Sequence, residues 1–196
     1  MFRLLIAAIL LGAIGTSGYF RSRARADGGT IARRAEGPGL VALRALITLP
    51  LLASILAYLI NPAWMAWSSF EAPGWIRPVG VVLGILTIPS VVWVLRSLGK
   101  NVSETVLTKP DHELVTSGPY RWIRHPLYTT GLCLLLAVGL MATNAAILAL
   151  TALAATLIRF VVIPREESAL EARFGEEYRR YTRSTGRLLP RLFGHA

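Results

Sequence analysis

The sequence has few of the residues on which several kinds of functional site depend. Its 196 residues include one cysteine, Cys133, and 11 acidic residues against 21 basic ones. A single cysteine excludes an internal disulfide bond and a metal site built from clustered cysteines, and we predict no metal site. The sequence also lacks a glycine-rich strand-turn-helix motif, which excludes a Rossmann-type dinucleotide site. It contains no internal repeat and no low-complexity segment.

Apolar residues, in contrast, are abundant. They make up 54% of the chain, and the mean hydropathy is +0.52, which is too apolar for a soluble domain. We therefore predict an integral membrane protein. Because the formal net charge of +10 accompanies a hydrophobic chain, we expect membrane lipids with anionic headgroups as partners and no nucleic acid.

The sequence contains five apolar runs, and most of them approach the roughly 20 residues that span a bilayer. They cover residues 4–20, 40–60, 79–98, 127–141 and 145–163. The last two should form a tight antiparallel hairpin, because only residues 142–144 separate them, and Pro89 should kink the third helix. We predict an all-α membrane protein with three N-terminal transmembrane helices in residues 1–98 and a catalytic region in residues 99–196.

The basic residues are unevenly distributed between the loops. They concentrate in the first loop, the third loop and the tail, whereas the second loop holds only Arg77 against Glu71 and the hairpin turn carries no charge. By the positive-inside rule, the N-terminus faces outward and the third loop and tail face the cytoplasm. We therefore expect any site at the third loop to face the cytoplasm.

The first apolar run could instead be a signal peptide that is cleaved near Ala26. Cleavage there would export Arg33 and Arg34, against the positive-inside rule. We therefore expect the run to be retained as the first membrane helix.

The pattern changes after Pro164, a residue that suits the first turn of a helix. Leu170, Phe174, Tyr178 and Tyr181 follow at spacings of four, four and three, with arginines on the other faces. This periodicity predicts one amphipathic helix on the cytoplasmic membrane surface. The helix should be broken within residues 186–190.

Charged residues cluster where the predicted hairpin meets the cytoplasm. Arg124 and His125 end the third loop, and Glu166 and Glu167 follow the fifth apolar run. Polar groups at membrane depth cost several kcal/mol unless they are paired or solvated. Taken singly, the glutamates could serve a helix start and Arg124 could anchor lipid. Their joint occurrence on one face predicts a cytoplasmic pocket.

The same residues belong to two motifs. The first motif is Leu114-Val115-Thr116-Ser117-Gly118-Pro119-Tyr120 followed by Arg124-His125-Pro126-Leu127-Tyr128. The second is Glu166-Glu167, then Phe174-Gly175-Glu176-Glu177-Tyr178 and Leu189-Pro190. Together they resemble the isoprenylcysteine carboxyl methyltransferase family, which is related to membrane phospholipid methyltransferases. The resemblance covers about residues 100–192.

The resemblance implies S-adenosylmethionine as methyl donor, bound between the hairpin, the preceding loop and the C-terminal helix. The implied contacts are His112, Leu114, Val115, Tyr120, His125, Pro126, Leu127, Tyr128 and Glu166. Charge pairing adds Arg124, which with His125 could meet the carboxylate of the donor. Tyrosine faces attract a sulfonium cation by about 0.5 to 2 kcal/mol.

The methyl acceptor is less defined than the donor. An ionised carboxylate needs no general base, whereas an amine would need one, such as Glu167 or His125. The resemblance implies an acceptor-facing arginine one turn before the cofactor glutamate, and this sequence has Val162 there. Arg159 and Arg165 flank that position and could replace it. We predict catalytic roles for Glu167, Arg165 and Arg159 toward a lipophilic or lipid-linked acceptor.

Other functions fit parts of the sequence. An NADPH-dependent membrane reductase of the sterol-reductase type could bind a 2′-phosphate with the third-loop arginines, and a non-enzymatic scaffold could use the basic tail. A transporter fits poorly, because the membrane runs hold few polar residues besides Arg159. The oligomeric state is left open: Gly80 and Gly84 could pack helices within one chain or between two.

Overall fold

The computed structural model of the chain describes residues 1–28, 37–99 and 113–191. These residues form seven α-helices and, apart from two isolated bridges, no β-structure. The helices are α1 (Phe2–Gly28), α2 (Pro38–Ile60), α3 (Ile76–Leu98), α4 (Pro126–Ala142), α5 (Ala145–Leu157), α6 (Ile163–Phe174) and α7 (Glu176–Ser184). Two short 3₁₀ helices, Pro62–Ser68 and Gly118–Arg121, precede α3 and α4, and a π-helical turn, Ile158–Val162, joins α5 to α6.

Four helical stretches are long and apolar enough to cross a membrane. They are Phe2–Ala24, Pro38–Ile60, Ile76–Leu98 and Ala145–Phe174, and the apolar helix Pro126–Ala142 is shorter. The prediction of an all-α, multi-pass membrane protein with about five spans is confirmed. The last stretch has 30 residues, more than the roughly 20 that a bilayer requires, so its charged C-terminal part extends beyond the apolar span.

Two glycines allow α3 to approach its neighbours closely. A Cβ atom on Gly80 would lie 2.9 Å from the backbone nitrogen of Met141 in α4, and one on Gly84 would lie 2.9 Å from Cδ1 of Ile9 in α1. Both glycines therefore pack helices within the chain, which answers a question that the sequence left open. Small residues at helix contacts commonly serve this purpose in membranes.

The centre of the bundle is apolar and fully packed. Side chains from α1, α2, α4 and α5 meet there, and the most deeply buried are Ile6, Ala137, Val138, Met141 and Ile147. The first apolar run therefore supplies part of the core as helix α1. This core fixes the position of α4, whose N-terminus carries the candidate site.

The turn between α4 and α5 is clamped by a buried asparagine. Asn144 caps α5 by accepting a hydrogen bond from the backbone N–H of Ile147 at 3.1 Å, and its amide donates to the Met65 carbonyl at 2.9 Å and the Ser68 hydroxyl at 2.7 Å. Thr143 adopts a left-handed conformation with φ of 47°. The predicted tight hairpin is present, and its turn lies at the end of α4 opposite to Arg124 and His125.

The C-terminal region departs from its sequence pattern. The single amphipathic helix expected after Pro164 is divided into α6 and α7 at Gly175, which has φ of +53°. A glycine adopts this conformation without the steric cost that other residues incur. The change of direction buries Tyr178 and Tyr181 against the protein, which corrects the expectation that both would face the membrane surface.

Candidate functional site

Helix α3 packs against the loop before α4 and holds it in place. Gly118, at the start of the 3₁₀ turn, has φ of +60°, and a Cβ atom at this position would overlap the Ser97 hydroxyl. The ring of Trp93 packs edge-on against that of Trp122, with centroids 5.8 Å apart. These contacts fix the path of the chain from Gly118 to His125, so that Tyr120 is buried beneath the site.

The segment that follows α7 pairs with the same loop. The backbone N–H groups of Arg124 and His125 donate to the carbonyls of Gly186 and Arg187 at 2.8 and 3.0 Å, and that of Gly186 donates to Trp122 at 3.1 Å. The Tyr181 hydroxyl donates to the Tyr120 carbonyl at 2.7 Å. The tail is therefore a structural part of the site.

Two arginines bind the Glu167 carboxylate. Arg124 Nε lies 2.9 Å from Glu167 Oε1, and Arg187 Nη2 lies 2.7 Å from Glu167 Oε2. Arg124 Nη1 also donates to the carbonyl of Thr182 at 3.2 Å and to that of Thr185. Glu167 thus connects the loop, α6 and the tail, and its two negative oxygens are each occupied by a guanidinium.

His125 lies between two carboxylates at the N-terminus of α4. Its Nδ1 is 3.6 Å from Glu166 Oε2, and its Nε2 is 3.5 Å from Glu167 Oε1. Burial opposes the charged imidazolium, but the interactions with Glu166 and Glu167 outweigh it and raise the pKa of His125 above its usual value. The imidazole also stacks on Tyr128, with ring centroids 5.8 Å apart.

Three buried polar atoms of this cluster have no hydrogen-bond partner among the described residues. They are His125 Nε2, Glu166 Oε2 and the Tyr178 hydroxyl oxygen. Native proteins pair most buried polar atoms, so such a group calls for an explanation. A polar ligand with both donors and acceptors would satisfy all three.

The tyrosines near these charges remain protonated. Burial raises the pKa of Tyr120 and Tyr178 far above the usual value for a phenol and raises the pKa of Tyr181 to about 12. The charge of Glu166 acts in the same direction on Tyr120. All three hydroxyls are therefore hydrogen-bond donors at neutral pH.

The structure brings together six of the thirteen residues that the sequence nominated. The cluster contains Tyr120, Arg124, His125, Tyr128, Glu166 and Glu167. Pro126 and Leu127 form the first turn of α4, where Leu127 packs against the apolar cluster of Val91 and Leu95. Leu114 and Val115 are partly buried in the segment leading to the 3₁₀ turn. His112 lies outside the described residues.

The two arginines nominated for the acceptor lie in the π-helical turn and in α6. The Arg159 guanidinium is 5.3 Å from the centroid of Phe160 in the π-helical turn, and Arg165 is exposed on α6. Within the described ranges, neither forms an ion pair with Glu166 or Glu167. Val162, where the resemblance implied an arginine, is buried next to Leu40.

Sequence reasoning did not place Arg187 or Tyr178 in the site. Arg187 looked like one of many basic residues of the tail, and the helical period assigned Tyr178 to a membrane-facing stripe. Gly175 was the available signal, because a glycine within a helical pattern marks a possible break. Among the described residues no group of three or more histidine, cysteine, aspartate or glutamate side chains could hold a metal ion.

Comparison with known sequences gives a family and relatives from bacteria. Residues 80–172 match the model of the isoprenylcysteine carboxyl methyltransferase family. The chain is 34% identical over 119 residues to the cobalt-zinc-cadmium resistance protein CzcN of Cupriavidus metallidurans, a match that covers 60% of this chain and 52% of CzcN. It is 26% identical over 174 residues to the Bacillus subtilis protein YpbQ, covering 87% and 97%. The chain thus spans about half of CzcN and nearly all of YpbQ.

Comparison with solved structures gives a related fold. The structure of a eukaryotic intramembrane Ras methyltransferase, isoprenylcysteine carboxyl methyltransferase, superposes with a TM-score of 0.54 at 22% identity. The superposition covers 98% of this chain and 70% of that one. The two proteins share the membrane helical architecture.

Proposed function

Because this chain belongs to the isoprenylcysteine carboxyl methyltransferase family of membrane methyltransferases, we propose that its methyl donor is S-adenosylmethionine and its acceptor a carboxylate on a lipophilic molecule. One structural observation supports the proposal independently of the family. Buried polar atoms of His125, Glu166 and Tyr178 that form no hydrogen bond within the described part of the chain belong to one cluster, at the point where α4 and α6 leave the apolar core.

The residues of the cluster suit the chemical groups of the donor. The Glu166 side chain is partly exposed, and its Oε2 atom forms no hydrogen bond with the residues that the structure describes, so that it can accept hydrogen bonds from an ammonium group or from ribose hydroxyls. The aromatic faces of Tyr120 and Tyr128 can attract a sulfonium cation. When bound, S-adenosylmethionine supplies an electrophilic methyl group.

Glu167 and Arg124 then have positioning roles. Each oxygen of the Glu167 carboxylate is bonded to a guanidinium, which disfavours proton uptake and makes this group a poor general base. Arg124 is committed to Glu167 and to carbonyls of the tail. Since a carboxylate acceptor is ionised at neutral pH and needs no base, the arrangement favours a carboxylate over an amine.

The acceptor would reach the site from the membrane. We assign Arg159 and Arg165 to its anionic group, because Arg159 lies within the π-helical turn Ile158–Val162 and Arg165 follows that turn in α6, directly before Glu166. A cation near the membrane boundary pairs favourably with a lipid-linked carboxylate. We further propose that the site faces the cytoplasm, as the positive-inside rule predicts, and that residues 99–196 form the catalytic region.

The proposal is tested by titrating the purified protein in detergent with S-adenosylmethionine, monitored by calorimetry. We expect saturable binding that Glu166→Ala weakens about tenfold or more, because a hydrogen bond to a charged group contributes about 1.5 to 3 kcal/mol. Glu171→Ala is the matched control, since Glu171 lies on the same helix and pairs with exposed Arg179.

NADPH is titrated in parallel. Binding of NADPH without binding of S-adenosylmethionine would support a reductase, and binding of neither to folded protein would support a scaffold. If Glu166→Ala and Glu171→Ala bind the donor equally well, the assignment of Glu166 is wrong.

A further inference from the structure

Helix α7 carries a buried hydroxyl group on Tyr178. Tyr178 is only 2% exposed, yet its hydroxyl has no hydrogen-bond partner in the part of the chain that the structure describes. A phenol buried without a partner destabilises the ligand-free protein, because the group has lost its hydrogen bonds to water. Such a group calls for an explanation, and a bound ligand that provides the partner is one.

The next tyrosine on the helix shows the contrasting arrangement. Tyr181 is also buried, and its ring lies 6.1 Å from that of Tyr178. Its hydroxyl donates to the Tyr120 carbonyl at 2.7 Å. Tyr181 therefore attaches α7 to the loop, whereas the hydroxyl of Tyr178 is available to a ligand.

The surroundings of Tyr178 define what that ligand offers. Arg124 donates to the Thr182 carbonyl, one turn after Tyr178 on α7, so that Tyr178 lies beside the charged cluster. Burial raises the pKa of its hydroxyl, and the charges of Glu167, Arg124 and Glu166 also act on it. The Tyr178 hydroxyl is a neutral hydrogen-bond donor and requires an acceptor. Glu166 Oε2 is an acceptor and requires a donor, and it lies 3.6 Å from His125 Nδ1. A ligand with an ammonium group next to a carboxylate supplies the donor for Glu166 and the acceptor for Tyr178.

We propose that the Tyr178 hydroxyl donates a hydrogen bond to the carboxylate of the amino-acid group of the methyl donor, while Glu166 accepts one from its ammonium group. This assignment rests on the proposed function and adds α7 to the binding site. The assignment also explains why the C-terminal helix is divided at Gly175. The change of direction turns Tyr178 away from lipid and into the site.

The test compares Tyr178→Phe with Tyr181→Phe in the full-length protein in detergent. Each change removes one hydroxyl and retains the ring. For Tyr178→Phe we expect affinity for S-adenosylhomocysteine to fall about tenfold, while the thermal midpoint of the ligand-free protein stays the same or rises. For Tyr181→Phe we expect the midpoint to fall, because a satisfied hydrogen bond is lost.

A second ligand identifies the end of the donor that Tyr178 contacts. 5′-Methylthioadenosine lacks the amino-acid group but retains the nucleoside and the sulfur. The affinity ratio of the wild type to Tyr178→Phe should therefore be about ten for S-adenosylhomocysteine and about one for 5′-methylthioadenosine.

The outcomes separate this inference from the function on which it rests. No binding of either nucleoside by the wild type overturns both. Binding that Tyr178→Phe leaves unchanged overturns the role of Tyr178 and retains the methyltransferase. An equal loss for both ligands contradicts the assignment to the amino-acid group, and a fall in the ligand-free midpoint as large as that of Tyr181→Phe shows a structural hydroxyl.

Discussion

Arg124 Nε lies 2.9 Å from Glu167 Oε1 and joins the end of the third loop to the first turns of α6. Both side chains are nearly buried, with 10% and 12% of their surface exposed. The same guanidinium donates to the Thr182 carbonyl in α7, so that one side chain contacts both helices that flank Gly175. These contacts of Arg124 hold the loop that ends at His125 next to the part of α6 that carries Glu166.

Replacing Arg124 by alanine should destabilise the protein. The change leaves Glu167 with one of its two guanidinium partners and removes a donor from the tail carbonyls. Breaking a buried, hydrogen-bonded ion pair typically costs on the order of 3 kcal/mol. We expect a loss of this size in the free energy of unfolding, measured by denaturation in detergent without ligand.

Arg180→Ala is the control for the loss of a positive charge from the same region. Arg180 is exposed on α7, and exposed substitutions usually change stability by less than about 0.5 kcal/mol. A loss in Arg124→Ala no greater than that in Arg180→Ala would show that the pair with Glu167 is not a structural contact.

Gly118→Ala should disturb the loop that carries the site. A side chain at a positive φ of this kind costs about 1 to 3 kcal/mol, and the new Cβ atom would also overlap the Ser97 hydroxyl. We expect a lower thermal midpoint and weaker donor binding, because Tyr120 and His125 follow on the same loop. Gly131→Ala in α4 is the matched control, since its Cβ would meet nothing within 4 Å; equal behaviour of the two variants would contradict the loop geometry.

The parts of the structure that depend on local sequence were predictable. The length of an apolar run is enough to predict a membrane helix, and a connection of three residues between two such runs is enough to predict a hairpin. The hairpin in turn implied that His125 and Glu166 would meet, since each lies close to the outer end of one of the two apolar runs that form it. The ends of the helices were less well defined: α1 extends to Gly28 rather than residue 20, because polar residues can continue a helix beyond the apolar span.

The parts that depend on long-range contacts were not predictable. The places of Arg187 and Tyr178 in the site follow from the change of direction at Gly175 and from backbone hydrogen bonds between the tail and Trp122, Arg124 and His125. Backbone pairing of this kind leaves no side-chain signature. Helical periodicity also cannot distinguish an apolar stripe that faces lipid from one that faces protein.

Gly80→Ala should be more harmful than Gly84→Ala, although both glycines line α3. The new Cβ atom at Gly80 would lie 2.9 Å from backbone atoms of Ala137 and Met141, which cannot move without shifting α4. At Gly84 the atom at 2.9 Å is the flexible end of the Ile9 side chain. Overpacking costs about 1 to 3 kcal/mol, and we expect the upper part of this range for Gly80→Ala.

Thermal unfolding in detergent measures both variants, and α4 positions His125, so donor affinity provides a second readout. Gly80→Ala should reduce both quantities. If Gly84→Ala proves the more damaging change, α3 and α4 do not pack as closely as the structure indicates.

The stability of the protein should depend on pH through His125. The pKa of this group is raised in the folded protein, whereas in the unfolded chain it is about 6.5. Its contribution is therefore fully present below about pH 6.5 and is lost as the pH rises through the folded pKa. We expect the stability difference between the wild type and His125→Gln, measured by denaturation in detergent, to be largest at mildly acidic pH and to shrink as the pH increases.

Arg187→Ala tests whether the charge of Glu167 raises the pKa of His125. Arg187 neutralises Glu167 at a distance of 2.7 Å, so that its removal leaves more negative charge to stabilise the imidazolium of His125. The decline in stability should then move to higher pH. A purely structural role for Arg187 would lower stability at every pH without moving the decline, and Arg183→Ala, which breaks only an exposed pair with Glu176, should leave the position of the decline unchanged.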